Sequence, residues 1–157
     1  MRNDSSGPQR ELPLALAILQ REHEEIVQAF ERLENACSAD ERQSARTLLT
    51  AAVEHHLALE EAVFYPTRDS AEGLGAMRRR GEAEHAELRD AMASLGEEGA
   101  TSNGAVRLAR LVFERHRRSE EDEVFPLVQR RLADRLETLA VELEQQREAE
   151  KGAYGVG

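Results

Sequence analysis

Along residues 12–37 the apolar positions Leu12, Leu16, Leu19, Ile26, Phe30, Leu33 and Cys37 recur in steps of three and four, with His23 in mid-row. That alternation is the seam of a helix packed lengthwise against neighbours. It predicts a first helix from near Pro13, a residue suited to a first helical turn, to about Ala36. Ser38-Ala-Asp-Glu41 has the form of a capping box and predicts the start of a second helix. That helix carries Leu49, Ala52, His56, Leu59 or Glu60, and Val63, and ends near Pro66. After a loop around Thr67–Ser70, a third helix carries Leu74, Met77, Gly81, His85, Leu88, Met92 and Leu95. Gly73, Gly75 and Gly81 weaken its first half, so its start is the least defined boundary. Beyond the turn GEEGATSNG, a fourth helix carries Ala105, Ala109, Val112, His116, Glu120 and Val124 to Pro126. A fifth segment, about Leu127–Glu148, has Leu132, Leu136, Leu139 and Leu143 at helical spacing. Four helices of this size would each span roughly 35–40 Å, and joined by short turns they make an up-down-up-down bundle. The expected fold is all-α: a four-helix bundle with an additional C-terminal helix. It occupies residues 11–149, between a disordered N-terminus (1–10) and a flexible tail (150–157).

Composition narrows the function more than the fold. The length of 157 residues suits one domain. A charged fraction of 33%, few aromatics and no Trp favour a helix-rich protein over a β-sandwich or a disordered chain. The formal net charge of −10 argues against nucleic acid or an anionic membrane as partner, because no basic face is apparent. Arg78–Arg80 put three charges on one short segment, which reads as a solvated face. The single cysteine excludes an internal disulfide and a Cys-based zinc site; as a continuation of the first seam, Cys37 reads as a buried, inert thiol. The apolar run Leu12–Leu19 is too short to span a bilayer and no small-residue cleavage site follows it, so a cytoplasmic location is expected.

The polar residues on the seams carry the chemistry. His23, His56, Glu60 and Pro66 recur as His85, His116, Glu120 and Pro126, offset by 62, 60, 60 and 60 residues. Each half is a helical hairpin with a His on its first helix and His-x3-Glu on its second. Residues i and i+4 share a helix face, so His56 projects with Glu60 and His116 with Glu120, both pairs toward the core. Buried carboxylates and imidazoles without partners are costly, and six of them spread over four seams need a shared positive centre. Four nitrogen and two oxygen ligands are more than one tetrahedral zinc uses. Two carboxylates from facing helices can each bridge two ions, and imidazole with carboxylate suits iron or manganese. The ferritin-like Glu-x-x-His order is reversed here, and the spacing is four.

At these residues the chain resembles the hemerythrin-like, or HHE cation-binding, domain family. The carriers of the resemblance are His23, His56-x3-Glu60, His85 and His116-x3-Glu120, with the endings EEAVFYP and EEDEVFP, over about residues 12–145. The resemblance implies a left-handed four-helix bundle holding two iron ions, bridged by oxo or hydroxo beside the two carboxylates. It implies metal ligands at His23, His56, Glu60, His85, His116 and Glu120. Family members bind oxygen, react with nitric oxide or peroxide, sense iron or oxygen, or assist repair of iron–sulfur clusters.

Two departures shape the expectation. Oxygen-carrying members have a second His one turn from the third-helix ligand, where this chain has Gly81 and Arg89. Their last carboxylate is an Asp at +5, where this chain has Glu120 at +4. The likeness is therefore to the four-His, two-Glu branch, and one fewer ligand implies more open coordination and reactive chemistry. Two function classes follow: a di-iron protein that binds or turns over dioxygen, nitric oxide or hydrogen peroxide, and an iron-handling or oxygen/iron-sensing module. Repair of iron–sulfur clusters belongs to the second class, but its members usually add a Cys-bearing N-terminal domain, and this chain starts directly with its first helix. His55 is expected on the solvent side or between helices, with a place behind a ligand as the alternative, and Glu61 and Glu121 in solvent, with ligation at +5 as the alternative. Glu82 is an outside candidate for a further ligand. Tyr65, before a helix-ending Pro, reads as packing, with the mouth of the pocket as the alternative.

Overall fold

The computed structural model describes residues 11–68, 73–95 and 103–153. Among them there are no strands, and the fold is an all-α bundle of five helices. Helix α1 covers Leu14–Glu34, with Pro13 as its N-cap residue. Helix α2 covers Ala39–Leu59, continues as a π-helical turn over Glu60–Phe64, and closes with an α turn over Tyr65–Arg68. Helix α3 covers Leu74–Ser94. Helix α4 covers Asn103–Ser119, passes through a second π turn over Glu120–Val124, and continues as Phe125–Arg131. A 3-10 turn, Ala133–Arg135, leads into α5, Leu136–Ala153.

The helix starts are built as their residues dictate. Ser38 Oγ accepts from the Glu41 N–H at 3.1 Å, and Glu41 Oε2 accepts from the Cys37 N–H at 2.8 Å. The reciprocal bond of the capping box therefore falls one residue early. Gly73, the N-cap of α3, has φ +87°, a left-handed conformation that residues with a Cβ rarely adopt.

Several boundaries differ from the sequence expectation. Pro66 and Pro126 do not end their helices, because each follows a π turn. The wider turn makes room for a ring that lacks an N–H and would collide with the carbonyl four residues back. Residues 127–131 consequently belong to α4, and α5 starts at Leu136 rather than Leu127. Helix α1 stops at Glu34, so Cys37 lies beyond the seam and is exposed, not buried. Glu150, Lys151, Gly152 and Ala153, expected in the tail, are still helical. The expected disordered N-terminus, most of the turn at 96–104 and the last four residues lie outside the described residues.

Apolar burial sorts into two clusters at opposite ends of the bundle. One joins Phe30 and Leu33 at the end of α1, Ala45 and Leu49 early in α2, Met92 and Leu95 at the end of α3, and Val106 and Ala109 early in α4. The other joins Leu16 and Leu19 of α1, Phe64 and Tyr65 late in α2, Leu74 of α3, Val124 and Val128 late in α4, and Leu139 and Leu143 of α5. Ends and starts alternate at each end, so α1 to α4 run up, down, up, down. Helix α5 packs on α1 and on the π turn of α2. Between the two clusters lies a layer of buried polar side chains.

Candidate metal centre

That layer is supplied by all four bundle helices: His23 from α1, His56 and Glu60 from α2, His85 from α3, and His116 and Glu120 from α4. Each is at most 2% exposed. His23, His56, Glu60, His116 and Glu120 each offer a ligand atom within 4.8 Å of the others. Glu60 is the hub. Its Oε1 lies 2.6 Å from His56 Nε2 and 3.8 Å from His23 Nε2; its Oε2 lies 3.0 Å from His85 Nε2 and 3.5 Å from His116 Nε2. Glu120 Oε1 lies 3.2 Å from both His23 Nε2 and His116 Nε2. His85 stands to one side of the five, its ring edge-on to His116 at 4.9 Å.

The outward edges of the four rings are held just as systematically. His56 Nδ1 donates to Glu22 Oε1 at 2.9 Å, and His116 Nδ1 to Glu84 Oε2 at 2.8 Å. His85 Nδ1 donates to Glu61 Oε1 at 2.9 Å, and His23 Nδ1 to Glu121 Oε1 at 3.3 Å. The order α1 to α2, α2 to α3, α3 to α4 and α4 to α1 closes a ring of carboxylates around the imidazoles. An ionised carboxylate only accepts, so each Nδ1 carries the proton and each Nε2 is left to meet the interior.

The chain places these groups with an i+4 step and a π turn. His56 and Glu60 share a face, as do His116 and Glu120. The π turn begins at each Glu and is closed by the Tyr65 N–H on the Glu60 carbonyl and the Phe125 N–H on the Glu120 carbonyl. Because the turn is wide, the next residue, Glu61 or Glu121, meets the outer edge of the imidazole, His85 or His23, whose inner edge faces Glu60 or Glu120. Arg89 then clamps Glu61 through Nη1 at 2.6 Å and Nη2 at 3.2 Å, and Arg117 Nε holds Glu121 at 3.1 Å.

Electrostatics follow from this packing. Burial works to raise Glu22, but hydrogen bonds from His55 and His56 outweigh it and lower its pKa from 4.5 to about 2. Burial works to lower His23, but Glu120, Glu121 and Glu60 push it up from 6.5 to about 10. His116 is likewise raised well above its usual range against its own burial, by Glu120 and Glu60. These directions belong to the metal-free cluster, in which protons must stand between Nε2 atoms and carboxylates.

A cation fits the same place. His56 Nε2, Glu60 Oε1 and His116 Nε2 are buried with no hydrogen-bond partner among the described residues. His56 Nε2 and Glu60 Oε1 approach to 2.6 Å without hydrogen-bond alignment, as two ligand atoms facing one ion would. The donor set of imidazole and carboxylate is that of a metal-binding cluster.

A family model described as Hemerythrin HHE cation binding domain matches residues 14–128. The chain belongs to the hemerythrin HHE family. No curated protein and no solved structure matches it to the same standard. The match spans α1 through most of α4 and leaves α5 outside.

Within this hemerythrin domain all six sequence-selected residues meet at one layer, and the flanking candidates separate. His55 is between helices: its Nε2 donates to Glu22 Oε2 at 3.0 Å, and its Nδ1 pairs with Glu150 of α5. Glu82 is exposed and paired with Arg78 at 3.0 Å, away from the centre. Glu61 and Glu121 stay partly exposed, yet their carboxylates are not free in solvent: they hold the outer edges of His85 and His23. Glu22 and Glu84 were not singled out from the sequence. Their signal was present, since they precede His23 and His85 and repeat with the same offset of 62. Tyr65 is buried, with Oη 2.7 Å from His85 Nε2. The Gly81 side, expected to be open, is thus occupied by a phenol. Among the described residues, no helix is long and apolar enough to cross a membrane.

Proposed function

We propose that this protein is a non-heme di-iron protein that binds or reacts with dioxygen, nitric oxide or hydrogen peroxide. His23, His56, His85 and His116 would hold the ions as terminal ligands, and Glu60 and Glu120 would serve as bridges. The supporting observation is the two-sided use of every imidazole: Nδ1 tied outward to a carboxylate, Nε2 turned inward to Glu60 or Glu120. Such outward bonds fix ring orientation and raise ligand basicity. When bound, the iron ions supply the redox change and the exchangeable coordination positions that a small oxidant needs. The chain's own part is to orient six donors, to exclude bulk water by burial, and to keep four protons on Nδ1.

Metal analysis and the visible spectrum of aerobically purified protein test this. Two irons per chain with an oxo-bridged ferric spectrum are expected, and nitric oxide or peroxide should then perturb that spectrum. Wild-type iron content in both His56→Ala and Glu120→Ala would overturn the ligand assignment.

One observation favours the second class, an iron-handling or sensing module that includes iron–sulfur cluster repair. Glu22, which orients His56, also faces Arg147 Nε at 3.4 Å, and its partner His55 pairs with Glu150. The centre is therefore wired to α5, outside the family match. Hydrogen exchange in α5 that is identical with and without iron would remove this reading.

A further inference from the structure

The internal duplication is unequal on the outer side of the two His-x3-Glu pairs. Glu22 corresponds to Glu84 by the offset of 62, and His55 and His56 to Arg115 and His116 by the offset of 60. Each acid holds the Nδ1 edge of its histidine, Glu22 that of His56 at 2.9 Å and Glu84 that of His116 at 2.8 Å. Beyond that bond the two halves differ. Buried Glu22 also accepts from His55 Nε2 at 3.0 Å and faces Arg147 Nε of α5 at 3.4 Å. Glu150, again from α5, holds the far edge of His55. In the second half Arg115, the counterpart of His55, turns away to Glu87. Besides His116, Glu84 meets among the described residues just Arg80, whose Nε stands 3.7 Å away on a side chain 42% exposed. Helix α5 packs on α1, on α2 and on the π turn of α2, so the inequality comes from an element outside the duplication.

Two effects then act on His56 in the same direction. A carboxylate divided among three donors polarises each N–H less than one given mainly to a single imidazole. Glu22 therefore raises the basicity of His56 less than Glu84 raises that of His116. The Arg147 charge adds to this, because its Nε is buried and water screens it poorly. Both effects leave His56 Nε2 the poorer electron donor to a bound cation.

We propose that Arg147 is a positioning residue through which α5 makes the two metal positions unequal, the ion held by His56 having the higher reduction potential. This rests on the di-iron reading above and names how α5 acts on that centre. The step concerned is the gain of one electron by the ferric ion at His56 from a one-electron reductant, with no bond to the chain made or broken.

Reductive titration of the iron-loaded full chain tests this, with potentials followed by visible absorption and iron per chain measured alongside. Wild type should reduce in two separate one-electron steps. Arg147→Met, which keeps most of the stem and removes the charge, should lower the first potential more than the second and narrow the gap. His55→Leu, which removes the other extra donor to Glu22, should narrow it in the same sense. Arg147→Lys should keep a gap close to wild type, and Arg80→Met should leave the first potential in place. An unchanged gap in Arg147→Met, an equal shift of both potentials, or a single two-electron step in wild type would overturn the proposal and leave the di-iron reading standing. Should Arg147→Met lose its iron, His55→Leu decides; loss of iron in both would assign α5 to holding the fold and would overturn the proposal too. Fewer than two irons per wild-type chain would overturn the di-iron reading itself.

Discussion

Glu61 accepts the Nδ1 proton of His85 at 2.9 Å, while Glu60, its neighbour in the chain, faces Nε2 of the same ring at 3.0 Å. Two adjacent carboxylates thus grip opposite edges of one imidazole. The outer one holds the far edge of the ring and fixes the tautomer that turns Nε2 toward the centre. Glu61→Gln and Glu22→Gln are each expected to weaken metal binding by roughly 10–100-fold without abolishing it. Competition with a chelator of known affinity measures this, and unchanged affinity in both variants would show the carboxylate ring to be idle.

The pH dependence of stability should reverse sign with metal. In the metal-free protein His23 is raised from 6.5 to about 10, so its stabilising contribution is full below 6.5 and is lost as pH rises toward 10. Glu22 is lowered to about 2, so its contribution is present above 4.5 and lost as pH falls toward 2. A metal ion needs deprotonated Nε2 atoms, so the loaded protein should gain stability with pH from the slightly acidic range upward. Tm against pH for chelated and loaded protein checks this; parallel slopes above pH 6.5 would contradict it.

Removing the metal should also lower stability at neutral pH, because four helices lose a shared ligand set. Chelation is expected to lower Tm, and adding iron back to restore it. A Tm indifferent to both would mean that the cluster is satisfied by its own protons.

Packing outside the centre should affect stability but not metal content. Leu143 of α5 is fully buried in the cluster that contains Leu16 and Val128, so Leu143→Ala should cost about 2–5 kcal/mol. Val141, 54% exposed on the same helix, should change by no more than about 0.5 kcal/mol on truncation to Ala. Denaturant titrations of the loaded variants, with iron per chain measured alongside, separate the two effects.

The duplication made the site legible. An offset of 60 selected His56 over His55, since only His56 has a Glu at +4 and a Pro at +10. Periodicity also gave five helices and the seam residues that bury. What it could not give were interactions that leave the seam. Glu22 and Glu84 sit on the shoulders of their helices, where an acidic residue ordinarily meets water, and only the neighbouring helix makes them interior. The π turns were equally hidden, because EEAVFYP and EEDEVFP suit an ordinary α-helix. The extra residue per turn lets Glu60 and Glu61 meet opposite edges of His85, and Glu120 and Glu121 opposite edges of His23. Cys37 failed for the opposite reason: the seam was extended past the end of its helix.

The polar layer divides the apolar interior into two separate clusters, each too small to count as a complete core of its own. Between them, cohesion passes through the helix backbones and through the imidazole–carboxylate centre, with α5 adding to one end only. Cooperative unfolding should therefore be a property of the loaded protein. With metal in place, calorimetric and van't Hoff enthalpies should agree. Without it, the end that carries α5 should outlast the other, and the melt should broaden into two steps.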